Sequence, residues 1–247
     1  MNVKDPIKFL VYAPPGHGKT TLLGTVVGDE RISPMLLLEF EGGTRSIRSK
    51  VRKIEIAELG KIKPSVDVID VVSIQDWDDF TTVYEFLSER DHDYLSIGLD
   101  SLSEMNYLNL TTALDTATKE DRKHDPDILE QRDYLRSSNQ MKKLIRYFRD
   151  LPMHVFITAS AQQSQDPRTK ETKLGPSLTG KLAFEIPGLL EIVGYLAIVE
   201  LDSGENQRWL FVQPTGRFEA KDRTEGGKLG EYVAEPTLSK IFDLIEQ

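Results

Sequence analysis

The chain has 247 residues, a formal net charge of −9 and no cysteine. That length supplies the core of one large α/β unit or of two small ones, the absent thiols exclude disulfides, thiolate catalysis and cysteine-ligated zinc, and the acidic balance excludes a general basic coat for nucleic acid. The 4 histidines are too scattered for a metal cluster, no apolar run is long enough to span a bilayer, and no signal or transit pattern is present, so a cytoplasmic location without membrane contact is expected.

Residues 7–12 form an apolar run of strand type, and residues 19–27 read as a helix with its apolar positions on one face. Between them stands Ala13-Pro14-Pro15-Gly16-His17-Gly18-Lys19-Thr20, followed by Thr21. Glycines between a strand and a helix let successive backbone N–H groups turn inward on phosphate oxygens, and the helix adds the positive end of its dipole. Pro14, Pro15, Gly16, His17, Gly18, Lys19, Thr20 and Thr21 are therefore the expected phosphate cradle, with Lys19 between the β- and γ-phosphates and the Thr20 hydroxyl on Mg²⁺. The usual pattern begins with glycine, where this chain has Ala13. A left-handed backbone there would disfavour alanine.

Residues 35–40 give a second apolar strand that runs into Glu39, Glu41 and the pair Gly42-Gly43. Alternation sets the two acids on one side, either oriented toward a water beside the phosphates or facing solvent as strand-end acids. Strands are also expected at residues 51–56 and 66–72, and a helix at 76–89. The strand 95–100 ends in Asp100-Ser101, and its aspartate is the expected acid on the magnesium side, at the carboxyl edge where open α/β sheets bind ligands.

A helix at residues 101–116 precedes a polar run, 116–127, that reads as an exposed excursion. The next helix, 128–150, carries Lys142, Lys143, Arg146 and Arg149 on a face that is either solvated or a local basic patch. Strands follow at 154–158, 192–201 and 208–213, and a last helix at 236–246. The alternation predicts a mainly parallel sheet with helices on both faces, extended by antiparallel strands near the C-terminus, in one domain over residues 1–247.

The order of phosphate loop, strand ending Glu-x-Glu-Gly and strand ending Asp-Ser resembles the RecA-like P-loop ATPase core. The resemblance runs from about residue 7 to about residue 223 and implies that Glu41 is the catalytic base, Asp100 the magnesium-side acid, and ATP and Mg²⁺ the cofactors. The strand 154–158 resembles one that this family inserts beside the first, followed by a polar loop, residues 162–181, that contacts DNA in RecA relatives. Arg168, Lys170, Lys173 and Lys181 are its candidate DNA-binding cations, and Ser160, Gln162 and Gln163 stand near the place of the γ-phosphate sensor. The stretch Arg217-Phe218-Glu219-Ala220-Lys221-Asp222-Arg223 is similar to the Lys-x-Arg element that reaches a neighbour's γ-phosphate in hexameric helicases, which implies catalytic roles for Lys221 and Arg223 and a homo-oligomer, ring or filament.

With no additional N-terminal helix or domain recognised ahead of the first strand, the sequence looks most like the minimal phage-encoded Sak-type annealing and recombination proteins. That kinship implies single-stranded DNA as target, a single-strand-binding protein as partner and the host cytoplasm as location. The same core also fits a motor that remodels protein or packages DNA, and a nucleotide switch without turnover; the basic loop favours the first reading and Glu41 favours hydrolysis.

Overall fold

The computed structural model describes residues 5–89, 91–165, 170 and 172–247. Its strands are β1 (Lys8–Ala13), β2 (Met35–Glu39), β3 (Val51–Lys53), β4 (Ile69–Ser73), β5 (Ser96–Asp100), β6 (His154–Gln165), β7 (Thr172–Pro176), β8 (Ile192–Glu200), β9 (Asn206–Phe211), β10 (Lys221–Asp222) and β11 (Tyr232–Ala234). The helices are α1 (Lys19–Leu23), α2 (Trp77–Ser88), α3 (Leu102–Glu120), α4 (Gln131–Arg149), α5 (Leu182–Gly188) and α6 (Leu238–Ile245).

The strands lie in the order β11-β9-β8-β1-β6-β5-β2-β4-β3, with β10 also on β8 and β7 on β6. From β8 to β3 all neighbours are parallel. The antiparallel additions are β9, β10 and β11 at one edge and β7 on the upper part of β6. This is the α/β architecture expected of a RecA-like core: β6 and β5 separate β1 from β2, and the extension is antiparallel.

Every residue of β1, β2 and β5 is buried, as parallel strands covered on both faces must be. Period-two alternation divides their side chains between two cores. Leu10, Tyr12, Leu36, Leu38, Leu99 and Ile157 share one with the apolar faces of α2 to α5. Phe9, Val11, Leu37 and Phe156 share the other with α1 and α6. Asp76, Ser101 and Thr237 cap α2, α3 and α6, each side chain accepting from backbone N–H groups of the first turn, which fixes where those helices begin.

Several expectations change. The helix after the phosphate loop keeps α geometry only to Leu23 and tightens to a 3₁₀ turn over Gly24–Val26. The polar run at 116–127 is not wholly an excursion: α3 continues to Glu120, and the imidazole of His124 is buried 2.8 Å from an Asp133 oxygen. Within 162–181 the described residues include paired strands rather than only a loop, because β6 runs on to Gln165 and pairs antiparallel with β7. Between Lys181 and the expected strand, which is β8, stands the helix α5, for which no element was expected. No helix among the described residues is long and apolar enough to cross a membrane.

Tyr12, near the end of β1, is fully buried, and its hydroxyl reaches the carbonyl oxygens of Leu174, at 3.1 Å, and of Glu219. Burial raises its pKa far above the ordinary phenol range, so it remains a donor. The two acceptors are themselves joined, since Leu174 N–H donates to Arg217 at 2.8 Å and Glu219 N–H donates to Leu174 at 2.9 Å.

His154, at the start of β6, is 3% exposed and its Nδ1 accepts from the Ile7 N–H at 3.0 Å, so the ring is neutral. Burial, and then the charge of Lys8, lowers its pKa to about 4. The unfolded chain titrates near about 6.5. Between these values the unfolded state binds the extra proton, so this contribution is full above about pH 6.5 and is lost as pH falls toward about 4. Urea-unfolding midpoints followed from neutral to acid pH should decline over that window, and His154→Gln should flatten part of the decline.

Candidate functional site

The strand β1 delivers the chain to the carboxyl edge of the sheet, and the loop turns there into α1. Ala13 is the last residue of β1 and is fully buried; the left-handed backbone falls on Gly16 and Gly18, with φ of 78° and 97°. Alanine in place of the usual first glycine therefore meets no conformational demand. Lys19 Nζ folds back over the loop to the carbonyl oxygens of Ala13, at 3.1 Å, and Pro14, at 3.3 Å. Burial lowers the Lys19 pKa, opposed by the carboxylates of Asp100 and Glu41.

Asp100 ends β5 and is 2% exposed. Its Oδ2 accepts from Thr20 Oγ1 at 2.7 Å, and its Oδ1 accepts from the Thr158 hydroxyl on β6. One carboxylate thus joins the first turn of α1 to two adjacent strands. Thr20 and Asp100 present hard oxygen donors side by side, a set that suits Mg²⁺, which keeps most of its waters and takes few protein ligands. Among the described residues no group of 3 or more His, Cys, Asp or Glu forms a protein-only metal cage.

Glu41 enters the same space from the segment after β2. Ser101 Oγ donates to its Oε1 at 3.2 Å, and burial, followed by the nearby Glu104, raises its pKa. A cavity of about 320 Å³ collects Lys19, Thr20, Glu41, Asp100, Ser160 and Arg208. Glu39 does not share it. Strand alternation lapses because β2 stops at Glu39, Gly42 turns left-handed with φ 70°, and a 3₁₀ turn follows over Gly43–Ser46. Glu39 is instead buried and held by the Thr44 N–H at 2.9 Å, the Thr44 hydroxyl, Lys53 Nζ at 3.1 Å and Ser73 Oγ at 3.4 Å. Its carboxylate shapes the turn.

Of the residues near the end of the His154 strand, Ser160 faces the cavity. Gln162 is occupied in the hairpin, where its Nε2 donates to Leu178 O at 3.0 Å and its Oε1 accepts from Ser177 Oγ at 3.1 Å. Gln163 is exposed. On the same hairpin Lys170 is exposed with φ 64°, Lys173 lies 3.6 Å from Glu219, and Lys181 is exposed just before α5; Arg168 lies outside the described residues. The structure brings Lys221 and Arg223 into no contact with the cavity. Lys221 lies on β10 and Arg223 just after it; β10 pairs with the start of β8 at Ile192 and Val193, and Ile192 pairs in turn with Phe9, near the opposite end of β1 from the phosphate loop. Lys221 Nζ donates to Pro187 O at 2.6 Å, and burial and then Arg223 lower its pKa to about 8.

Arg208 is the residue that sequence reasoning missed. Residues 208–213 read as a strand, and alternation puts Arg208 on the face of Leu210, but nothing local indicates that β9 passes beside the phosphate loop.

A strand–loop–helix phosphate cradle, a lysine folded over it and an aspartate beside its threonine define a nucleotide-binding protein of the P-loop class. The chain matches the AAA domain family (AAA_24) over residues 5–224 and belongs to it. No curated protein matches the sequence. Among solved structures it is similar to a KaiC-like protein from the hyperthermophilic archaeon Pyrococcus horikoshii OT3, with 14% identity over 96% of this chain and 99% of the other and a TM-score of 0.47.

Thr158→Val tests the carboxylate junction. It removes one donor from a buried carboxylate, so it should destabilise the fold by about 1–3 kcal/mol, measured as a lower denaturant midpoint.

Proposed function

We propose that this chain is a Mg²⁺-dependent ATPase that binds single-stranded DNA and promotes annealing or recombination, acting as a homo-oligomer of the minimal phage type. The observation that carries the ATPase reading is the convergence of Lys19, Thr20, Asp100 and Glu41 on one cavity beside the phosphate loop. Lys19 neutralises the terminal phosphates, and Thr20 and Asp100 would hold Mg²⁺, which when bound offsets charge on the phosphate oxygens. Glu41 orients the attacking water and accepts its proton; the burial that raises its pKa makes it a stronger base than an exposed carboxylate.

DNA is supported as the target by the hairpin that continues from the strand of Thr158 and Ser160, with Lys170, Lys173 and Lys181 along or just after it. It offers cations without aromatic stacking platforms, so contact would run through the DNA backbone and weaken as salt rises. The oligomer is supported by the exposed Arg223, which has no part in the chain's own cavity and is available to a neighbour's; Lys221 would first have to leave the Pro187 carbonyl.

ATP turnover with and without single-stranded DNA tests the central claim. DNA should stimulate wild type, and Glu41→Gln should lower turnover by about 100-fold or more; turnover indifferent to both would overturn the reading. Mixing Lys19→Ala with Arg223→Ala subunits tests the shared site. Activity should reappear in the mixture, and its absence in confirmed co-assemblies would remove the cross-subunit role.

A further inference from the structure

A second cavity, of about 250 Å³, adjoins the first and shares Gly18, Thr21 and Arg208 with it. Beyond that shared border it is lined by Thr25, Arg48, Leu196, Glu235, Pro236 and Thr237. The two form one trough, and its ends differ in chemistry. Lys19, Asp100 and Glu41 stand at one end, where terminal phosphates would be handled, and the other opens away from them between α1 and the segment after β11. Arg208 stands where the two meet.

Its position is fixed by the sheet. On one side Arg208 pairs with Ile198 of β8. On the other its N–H donates to Glu235 Oε1 at 2.7 Å and its carbonyl accepts from the Glu235 N–H at 2.7 Å. Glu235 makes this clasp from a left-handed backbone, φ 44°, which a non-glycine residue adopts only at a cost. Alternation then directs the side chain to the α1 face, and because β9 runs opposite to β1 the residue preceding Leu210 lies toward the loop. Arg208 Nε donates to the His17 carbonyl at 3.0 Å, and a Cβ placed on Gly18 would come within 2.8 Å of that nitrogen. The guanidinium therefore lies directly against the phosphate loop. The bond to His17 uses only one of its N–H donors, and a guanidinium fork matches phosphate oxygens.

We propose that Arg208 binds the α-phosphate, the one nearest the nucleoside, of a nucleoside di- or triphosphate held in the trough. It is a cation supplied by the same chain, separate in place and role from Lys221 and Arg223. The assignment rests on the nucleotide-binding reading above. Lys19 serves the far end of the polyphosphate, and Arg208 serves the point where polyphosphate gives way to nucleoside. A ligand lacking that phosphate gains nothing from it.

Calorimetric titration with ADP and with pyrophosphate, on wild type, Arg208→Ala and Arg208→Lys, tests this. Loss of a charge-assisted contact should weaken ADP by about tenfold or more. Pyrophosphate, held by the loop and Lys19, should change less than about twofold, and Arg208→Lys should recover part of the ADP affinity through its point charge. Equal losses for both ligands would mean that Arg208 only shapes the loop, and would overturn the proposal. So would unchanged ADP affinity in Arg208→Ala, or Arg208→Lys binding no better than Arg208→Ala. Wild type that binds pyrophosphate and ADP equally well also overturns it. Wild type that binds neither ligand fails differently: it removes the nucleotide reading, and this assignment with it.

Discussion

The Asp100 carboxylate is the junction on which the candidate site depends. It is buried at the end of β5 and accepts from Thr20 on α1 and Thr158 on β6, so three segments far apart in sequence meet on two oxygen atoms. A buried carboxylate without donors is costly enough that it would shed its charge or open the structure. Both hydroxyls supply donors here, and the carboxylate fixes the first turn after the phosphate loop against the sheet. The Thr20 hydroxyl is then aimed from the backbone upward, since its position follows from where β1 ends and how the glycines turn. The acids at the site are sorted by their donors: Asp100 and Glu39 are well supplied, whereas Glu41 has a single long bond from Ser101 and two acidic neighbours.

The antiparallel edge gives the trough its second wall. Without β9 and the Glu235 clasp the phosphate loop would face open solvent on one side. With them, Arg208 and Arg48 are set along the trough beyond Lys19. The cations of α4 add little to this. Lys142 pairs with Glu185 at 3.1 Å and Arg149 with Asp150 at 2.7 Å, as on an ordinary solvated face.

The parts of the fold that could be read in the sequence are those whose physics is local. Continuous apolar runs mark strands buried on both faces, so β1, β2 and β5 were visible, and glycines between a strand and a helix mark the loop. Asp76, Ser101 and Thr237 are helix-start residues that act within a single turn. Alternation alone did not separate Glu39 from Glu41, and only the family resemblance singled out Glu41, because the distinction depends on where β2 stops and on the left-handed turn at Gly42. The hairpin of β6 and β7 was hidden by its polarity: strands that leave the core lose the apolar signal that identifies them. Arg208 was illegible for a different reason. Its neighbours are His17 and Gly18, about 190 residues earlier, and no periodicity encodes which strand passes beside a given loop.

The Tyr12 hydroxyl gives the molecule something its covalent order does not. A phenol has a single proton, and here two carbonyl oxygens compete for it, one on the hairpin and one on the segment that leads to Lys221. Both acceptors are stitched to each other, so hairpin and segment form a single plate, and the plate hangs on the strand that carries the phosphate loop. Force applied to the hairpin reaches the root of the loop along the β1–β6 ladder and, from the β7 side, through the Tyr12 hydroxyl. The same pin holds the hairpin and the segment before Lys221 in one fixed relation to the strand that carries the loop.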